Sequence, residues 1–122
     1  MIDTSKKFLV AGAGKSGIGS VNLLLKTGAD VSLYDGNEEL DKEALFEKLY
    51  EKKEISLVLG NITKEDIEKY DLLVLSPGIS VNAPIAQMFY DQEKPVWSEI
   101  ELAYQASKGK IAAITGTNGK TT

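Results

Sequence analysis

The sequence predicts an α/β fold: a Rossmann-like doubly wound parallel sheet, followed by the truncated start of a P-loop ATPase domain. Three observations lead there. Short aliphatic or β-branched runs alternate with polar, amphipathic stretches, a glycine-rich loop follows the first run, and a second loop, GTNGKTT, follows the last. The runs lack strict alternation, which suits parallel strands covered on both faces.

Taken in order, the strands are FLVA (8–11), VSLY (31–34), SLVL (56–59), LLVL (72–75), VW (96–97) and IAAI (111–114). Between the first two, Ile18, Val21, Leu24 and Leu25 mark one helical face, and Gly28 stands where a helix end favours a left-handed residue. The stretch 37–54 carries Leu40, Ala44, Leu45 and Leu49 among many charges and reads as a surface helix with a solvated outer face. A short helix follows, with Thr63 as N-cap and Asp66 three residues on. Residues 82–92 hold another, with Pro84 tolerated in its first turn. In SEIELAYQASKG, Ser98 and Glu101 fit a capping box before Leu102, Ala103 and Ala106, and Gly109 would end the helix. The sixth strand either joins the first sheet or opens a new domain. The expected division is residues 1–97 for a nucleotide-binding domain and 98–122 for the start of a central ATP-binding domain.

Composition narrows the function. Hydrophobic residues make up 43% and charged residues 26%, enough apolar side chains for a folded core. A net charge of −4 argues against a general nucleic-acid binder, which needs clustered Lys and Arg. With neither Cys nor His, disulfides, thiolate nucleophiles and zinc sites of the usual kind are excluded. The N-terminal apolar run is too short for a signal or membrane segment, so a cytoplasmic protein without a membrane partner is expected.

The first loop, GAGKSG, lies between a strand and a helix, as a GxGxxG fingerprint requires. Gly12 permits the tight turn, Gly14 lets backbone N–H groups approach a diphosphate, and Gly17 lets helix and strand pack closely. The helix N-terminus adds free donors and about half a positive charge. Lys15 lies within the loop, in reach of a phosphate. Asp35 closes the second strand, where a carboxylate can accept from a ribose or a base edge. Read alone, these residues suit NAD, and a nicotinamide-binding oxidoreductase or regulatory domain stays open at this point. So does a tight packing turn that binds nothing.

Two further turns bear on the choice. Ser76, Pro77 and Gly78 follow the fourth strand at the carboxyl edge where open α/β sheets bind ligands, and Gly78 lets backbone approach a base or sugar. In the last loop Gly116 and Gly119 allow N–H groups to turn inward, Lys120 reaches the β- and γ-phosphates of ATP, and the Thr121 hydroxyl suits Mg²⁺. Ile114 stands where the full GxxxxGK[ST] pattern has its first Gly.

GTNGKTT resembles the ATP loop of the amide-forming Mur ligases of peptidoglycan synthesis. GAGKSG, Asp35, SPGI and SEIELAY, in that order before AAITGTNGKTT, resemble the branch that adds D-glutamate. Relatives that add L-alanine typically have His where Asn118 stands. The resemblance implies that Gly14, Lys15, Ser16 and Gly17 hold the diphosphate of a UDP-sugar, that Asp35, Gly36 and Asn37 recognise uracil, and that Gly78 approaches the base. It implies that Gly116, Thr117, Asn118, Gly119, Lys120, Thr121 and Thr122 bind ATP, with Lys120 and Thr121 catalytic and Thr121 a partial Mg²⁺ ligand. The implied substrates are UDP-N-acetylmuramoyl-L-alanine, D-glutamate and ATP, joined through an acyl phosphate by a monomeric enzyme. On this reading the chain is an N-terminal fragment, inactive alone, whose further metal-binding and D-glutamate-binding residues fall beyond Thr122.

Overall fold

The computed structural model describes residues 5–50, 55–80 and 82–111, with side chains up to residue 106. Among the described residues ten elements alternate: β1 (Lys7–Ala11), α1 (Lys15–Thr27), β2 (Asp30–Asp35), α2 (Lys42–Glu47), β3 (Ser56–Leu59), α3 (Lys64–Glu68), β4 (Leu72–Leu75), α4 (Pro84–Asp91), β5 (Val96–Ser98) and α5 (Glu99–Ile111). The five strands form one sheet in the order β3-β2-β1-β4-β5. Every pairing is parallel. The order reverses between β1 and β4, so the carboxyl ends of these two strands flank the switch point.

Period-two alternation splits the strands between two apolar layers. Phe8, Val10, Val31, Leu33, Leu72 and Val74 meet Val21 and Leu24 of α1, Leu45 of α2 and Leu102 of α5. Leu9, Ala11, Leu73 and Leu75 meet Ile67 of α3 and Ile85, Ala86 and Phe89 of α4 on the opposite face. Burial on both faces explains the continuous apolar runs, and each fully buried large side chain contributes about 1.5–3 kcal/mol.

The caps set the helix ends. Gly28 takes φ +86° after α1, with its N–H donating to the Leu25 carbonyl and that of Ala29 to Leu24. Thr63 and Asp66 form the reciprocal capping box of α3. Ser98 accepts the Glu101 N–H at 3.1 Å. The other half of that expected box is replaced, because the Glu101 carboxylate accepts from Gln105 Nε2 one turn later, at 2.7 Å.

Three boundaries differ from the sequence reading. Helix α2 starts only at Lys42, because Asp41 caps it through the Ala44 N–H. Before it, Asn37 makes its own turn, its side chain accepting the Glu39 N–H at 2.9 Å. Helix α4 starts at Pro84 after Ala83 as N-cap, two residues later than residue 82, since Pro fits the first helical position. Helix α5 runs through Gly109 to Ile111, so Gly109 does not end it and Ile111 is helical. A helical glycine costs about 1 kcal/mol relative to alanine, too little to stop a helix by itself. The rest of the expected sixth strand, residues 112–114, lies outside the described residues.

Candidate functional site

At the switch point the chain leaves β1 through Gly12, whose φ of +101° favours glycine. Its N–H donates to the Tyr34 carbonyl at 2.7 Å, which continues the β1–β2 ladder into the loop. A Cβ on Gly17 would lie 1.6 Å from the Gly12 carbonyl oxygen, so the close approach of helix to strand requires glycine there. Gly14 differs: an added Cβ would meet nothing within 4 Å. It is the N-cap of α1 in extended backbone, with no side-chain cap and no acid in the first turn. The amides of Lys15, Ser16 and Gly17 therefore open the helix without intrahelical acceptors. Free donors and helix dipole act together on whatever anion lies in front of them.

Asp35 anchors the loop from β2. Its Oδ2 accepts the Ala13 N–H and its Oδ1 the Asn37 N–H, each at 2.8 Å. One carboxylate thus ties the glycine loop to the turn after β2, and each oxygen keeps a lone pair for a ligand hydroxyl or base N–H. Gly36 and Asn37 are exposed beside it. From β4, Ser76 donates its N–H to the Ala11 carbonyl at 3.2 Å and accepts that of Ile79 at 2.9 Å, closing the turn that exposes Pro77 and Gly78.

These parts enclose one hollow of about 490 Å³, lined by the whole glycine loop, Tyr34 to Gly36, and Ser76 to Ile79. Gly14, Lys15, Ser16, Gly17, Asp35, Gly36 and Gly78 all line it, and Asn37 lies at its rim through the Asp35 bond. Lys15 is exposed at the mouth. Ser76 lines the hollow at the carboxyl edge where the sequence places it, whereas Tyr34 and Ile79 are walls that residue type alone does not single out. Tyr34 passes for one more core position of a strand, yet it walls the hollow while its hydroxyl donates to the Gly60 carbonyl at 2.8 Å.

Gly116, Thr117, Asn118, Gly119, Lys120, Thr121 and Thr122 lie outside the described residues. Among the described residues no cluster of acids is arranged to hold a metal ion, and no helix is long and apolar enough to cross a membrane.

Among known proteins, the chain is 52% identical to the UDP-N-acetylmuramoylalanine-D-glutamate ligase of Lachnospira eligens, over 97% of its own length and 26% of that protein. It is 48% identical to the ligase of the same name from Lachnoclostridium phytofermentans, over 95% and 26%. The chain thus spans about a quarter of the length of these relatives. A pseudomurein peptide ligase type C from Methanothermus fervidus shares the fold, with a TM-score of 0.64 at 22% identity, over 82% of this chain and 20% of that one. The family model of the Mur ligase MurD-like N-terminal domain matches residues 6–98, the span that holds the sheet and every wall of the hollow, and the chain belongs to that family.

Proposed function

We propose that this chain is the UDP-sugar-binding domain and adjoining ATP loop of a cytoplasmic, monomeric ligase of peptidoglycan precursor synthesis. The ligase adds D-glutamate to UDP-N-acetylmuramoyl-L-alanine with consumption of ATP. The observation that carries the reading is the uncapped start of α1: Lys15, Ser16 and Gly17, whose amides open the helix, line the same hollow as Asp35 and Gly78. The amides of Lys15, Ser16 and Gly17 bind the diphosphate, with Gly14 leaving room for it. Asp35, held by Ala13 and Asn37, accepts from the base or ribose, and the Gly36–Asn37 turn and Gly78 close around the uracil.

Residues 1–97 form the nucleotide domain on this reading, and 98–122 begin the central domain, with α5 packed against the first domain as the connector. Gly116, Thr117, Asn118, Gly119 and Thr122 cradle the phosphates of ATP. Lys120 would neutralise the transferring phosphoryl group, and Thr121 would contribute one oxygen to a Mg²⁺ ion that would share that charge neutralisation. The substrate carboxylate takes the γ-phosphoryl group of ATP and ADP leaves; the amine of D-glutamate then attacks the acyl phosphate, expelling inorganic phosphate and giving up a proton. On this reading the 122 residues, about a quarter of the length of the ligase relatives, are expected not to form the amide alone.

Calorimetric titration of the chain with UDP, UDP-N-acetylmuramoyl-L-alanine and NADH tests the reading. Binding of both uridine compounds without NADH supports it. NADH binding with no response to either uridine compound would instead favour a nicotinamide domain.

A further inference from the structure

The glycine-loop hollow has a neighbour on either side. Across the Ser76–Pro77 turn lies an apolar hollow of about 500 Å³, beside β5 and the start of α5. Beyond the end of β2 lies another, of about 360 Å³, walled by Asn61 and Ile62 after β3 and by Pro84 and Met88 of α4. Tyr34 and Ile79 line both this hollow and the glycine-loop hollow, so these two residues form the wall between them. Tyr34 is pinned at both ends. Its carbonyl accepts the Gly12 N–H at 2.7 Å, and its hydroxyl donates to the Gly60 carbonyl at 2.8 Å. Gly60, at φ +85°, donates its own N–H to the Asp35 carbonyl at 2.9 Å, so one glycine grips two successive residues of β2. Ile79 extends the wall over the glycine loop, where a Cβ added to Gly12 would lie 3.2 Å from its Cδ1. Both side chains pack on the apolar layer of α3 and α4. A ring tied at its hydroxyl and packed in this way does not swing aside without losing a part-buried hydrogen bond.

We propose that Tyr34, held by Gly60 and backed by Ile79, restricts the nucleotide site to a single-ring base, a proposal that rests on the UDP reading above. Strand order gives the direction. With the diphosphate at the start of α1 and Asp35 meeting the base or ribose, the base points from the end of β2 toward β3, and the wall stands in its way. A pyrimidine fits in front of the wall. A purine, one fused ring longer, runs into Tyr34, although the hollow behind has room for the second ring. Asp35 supplies attraction and the wall supplies rejection, and selectivity is the difference between the two resulting affinities.

UDP and GDP share ribose and diphosphate and differ only in the base, so the ratio of their affinities reads the wall. Calorimetric titration of the chain should show UDP binding at least about tenfold more tightly than GDP. Tyr34→Ala joins the two hollows and should cut that ratio about tenfold, chiefly by strengthening GDP. Tyr34→Phe keeps the ring, removes the pin and should cut the ratio about threefold. A residue that only supported the fold would weaken both nucleotides alike and leave the ratio where it was. Should Tyr34→Ala fail to fold, Ile79→Ala opens the same wall from its other half and carries the test. An unchanged ratio in the folded variants, or a wild-type chain that binds GDP as well as UDP, would overturn the wall while sparing the UDP reading. A wild-type chain that binds neither nucleotide would overturn the UDP reading and the wall with it.

Discussion

Two hollows share the Ser76–Pro77 turn and are built in opposite ways. The one at the glycine loop is made from backbone: donors at a helix start, a positive-φ glycine, and a carboxylate that fixes the loop by accepting its amides. The one beside β5 and α5 is made from side chains, Trp97 and the exposed Ile100 among them. A backbone site is damaged by adding atoms, and a side-chain site by removing or charging them. The glycine loop should therefore divide into positions where an added methyl unfolds the protein and positions where it only excludes the ligand.

The largest effect is expected at Gly17. A methyl group there would sit 1.6 Å from the Gly12 carbonyl oxygen, which belongs to backbone and cannot step aside cheaply. Gly17→Ala should cost about 3 kcal/mol, read as a fall in melting temperature of roughly 10–20 °C. A variant with wild-type melting would mean that α1 does not approach β1 as described.

Next comes Asp35→Ala, which leaves the Ala13 and Asn37 amides without their acceptor. It should lose about 1–2 kcal/mol of stability together with affinity for UDP. Lost affinity at unchanged stability would assign the carboxylate to the ligand alone. Gly14→Ala sharpens the contrast, since its added methyl meets nothing in the protein. Melting should stay within about 0.5 kcal/mol of wild type while UDP affinity falls about tenfold. Unchanged affinity would remove the diphosphate from this loop.

The smallest effect belongs to Asp66, which sits on α3 and lines neither hollow. The Thr63 N–H and hydroxyl donate to its carboxylate at 3.0 and 3.1 Å and hold its pKa below the ordinary carboxylate value. Because the folded pKa is lowered, the stabilisation is present in full above the unfolded carboxylate value and is lost as the pH falls through the lowered folded one. Asp66→Asn should remove that part of the acid dependence and leave UDP binding untouched. An ordinary or raised Asp66 pKa, read from its carboxyl resonance, would contradict the capping geometry.

Much of this was legible in sequence for a physical reason: parallel strands buried on both faces leave unbroken apolar runs, and a glycine fingerprint marks the turn between strand and helix. LLVL and FLVA became the central pair, and Gly28 and Thr63 cap as their residue types suggest. What could not be read depends on contacts between elements distant in the chain. Tyr34 became a site wall whose hydroxyl is held by the Gly60 carbonyl just after β3, and the apolar hollow exists because β5 and α5 turn beside Pro77. Helix ends also escaped, at Gly109 because one glycine is a weak stop signal, and at Asp41 because several residues before it could have capped α2.

Amide resonances followed during a UDP titration test the backbone site most directly. Specific, saturable shifts centred on Gly14, Lys15, Ser16 and Gly17, extending to Asn37 and Gly78 and sparing the amide of Ile100, are the result expected here. Saturable binding that moves other amides and leaves the start of α1 silent would contradict the account.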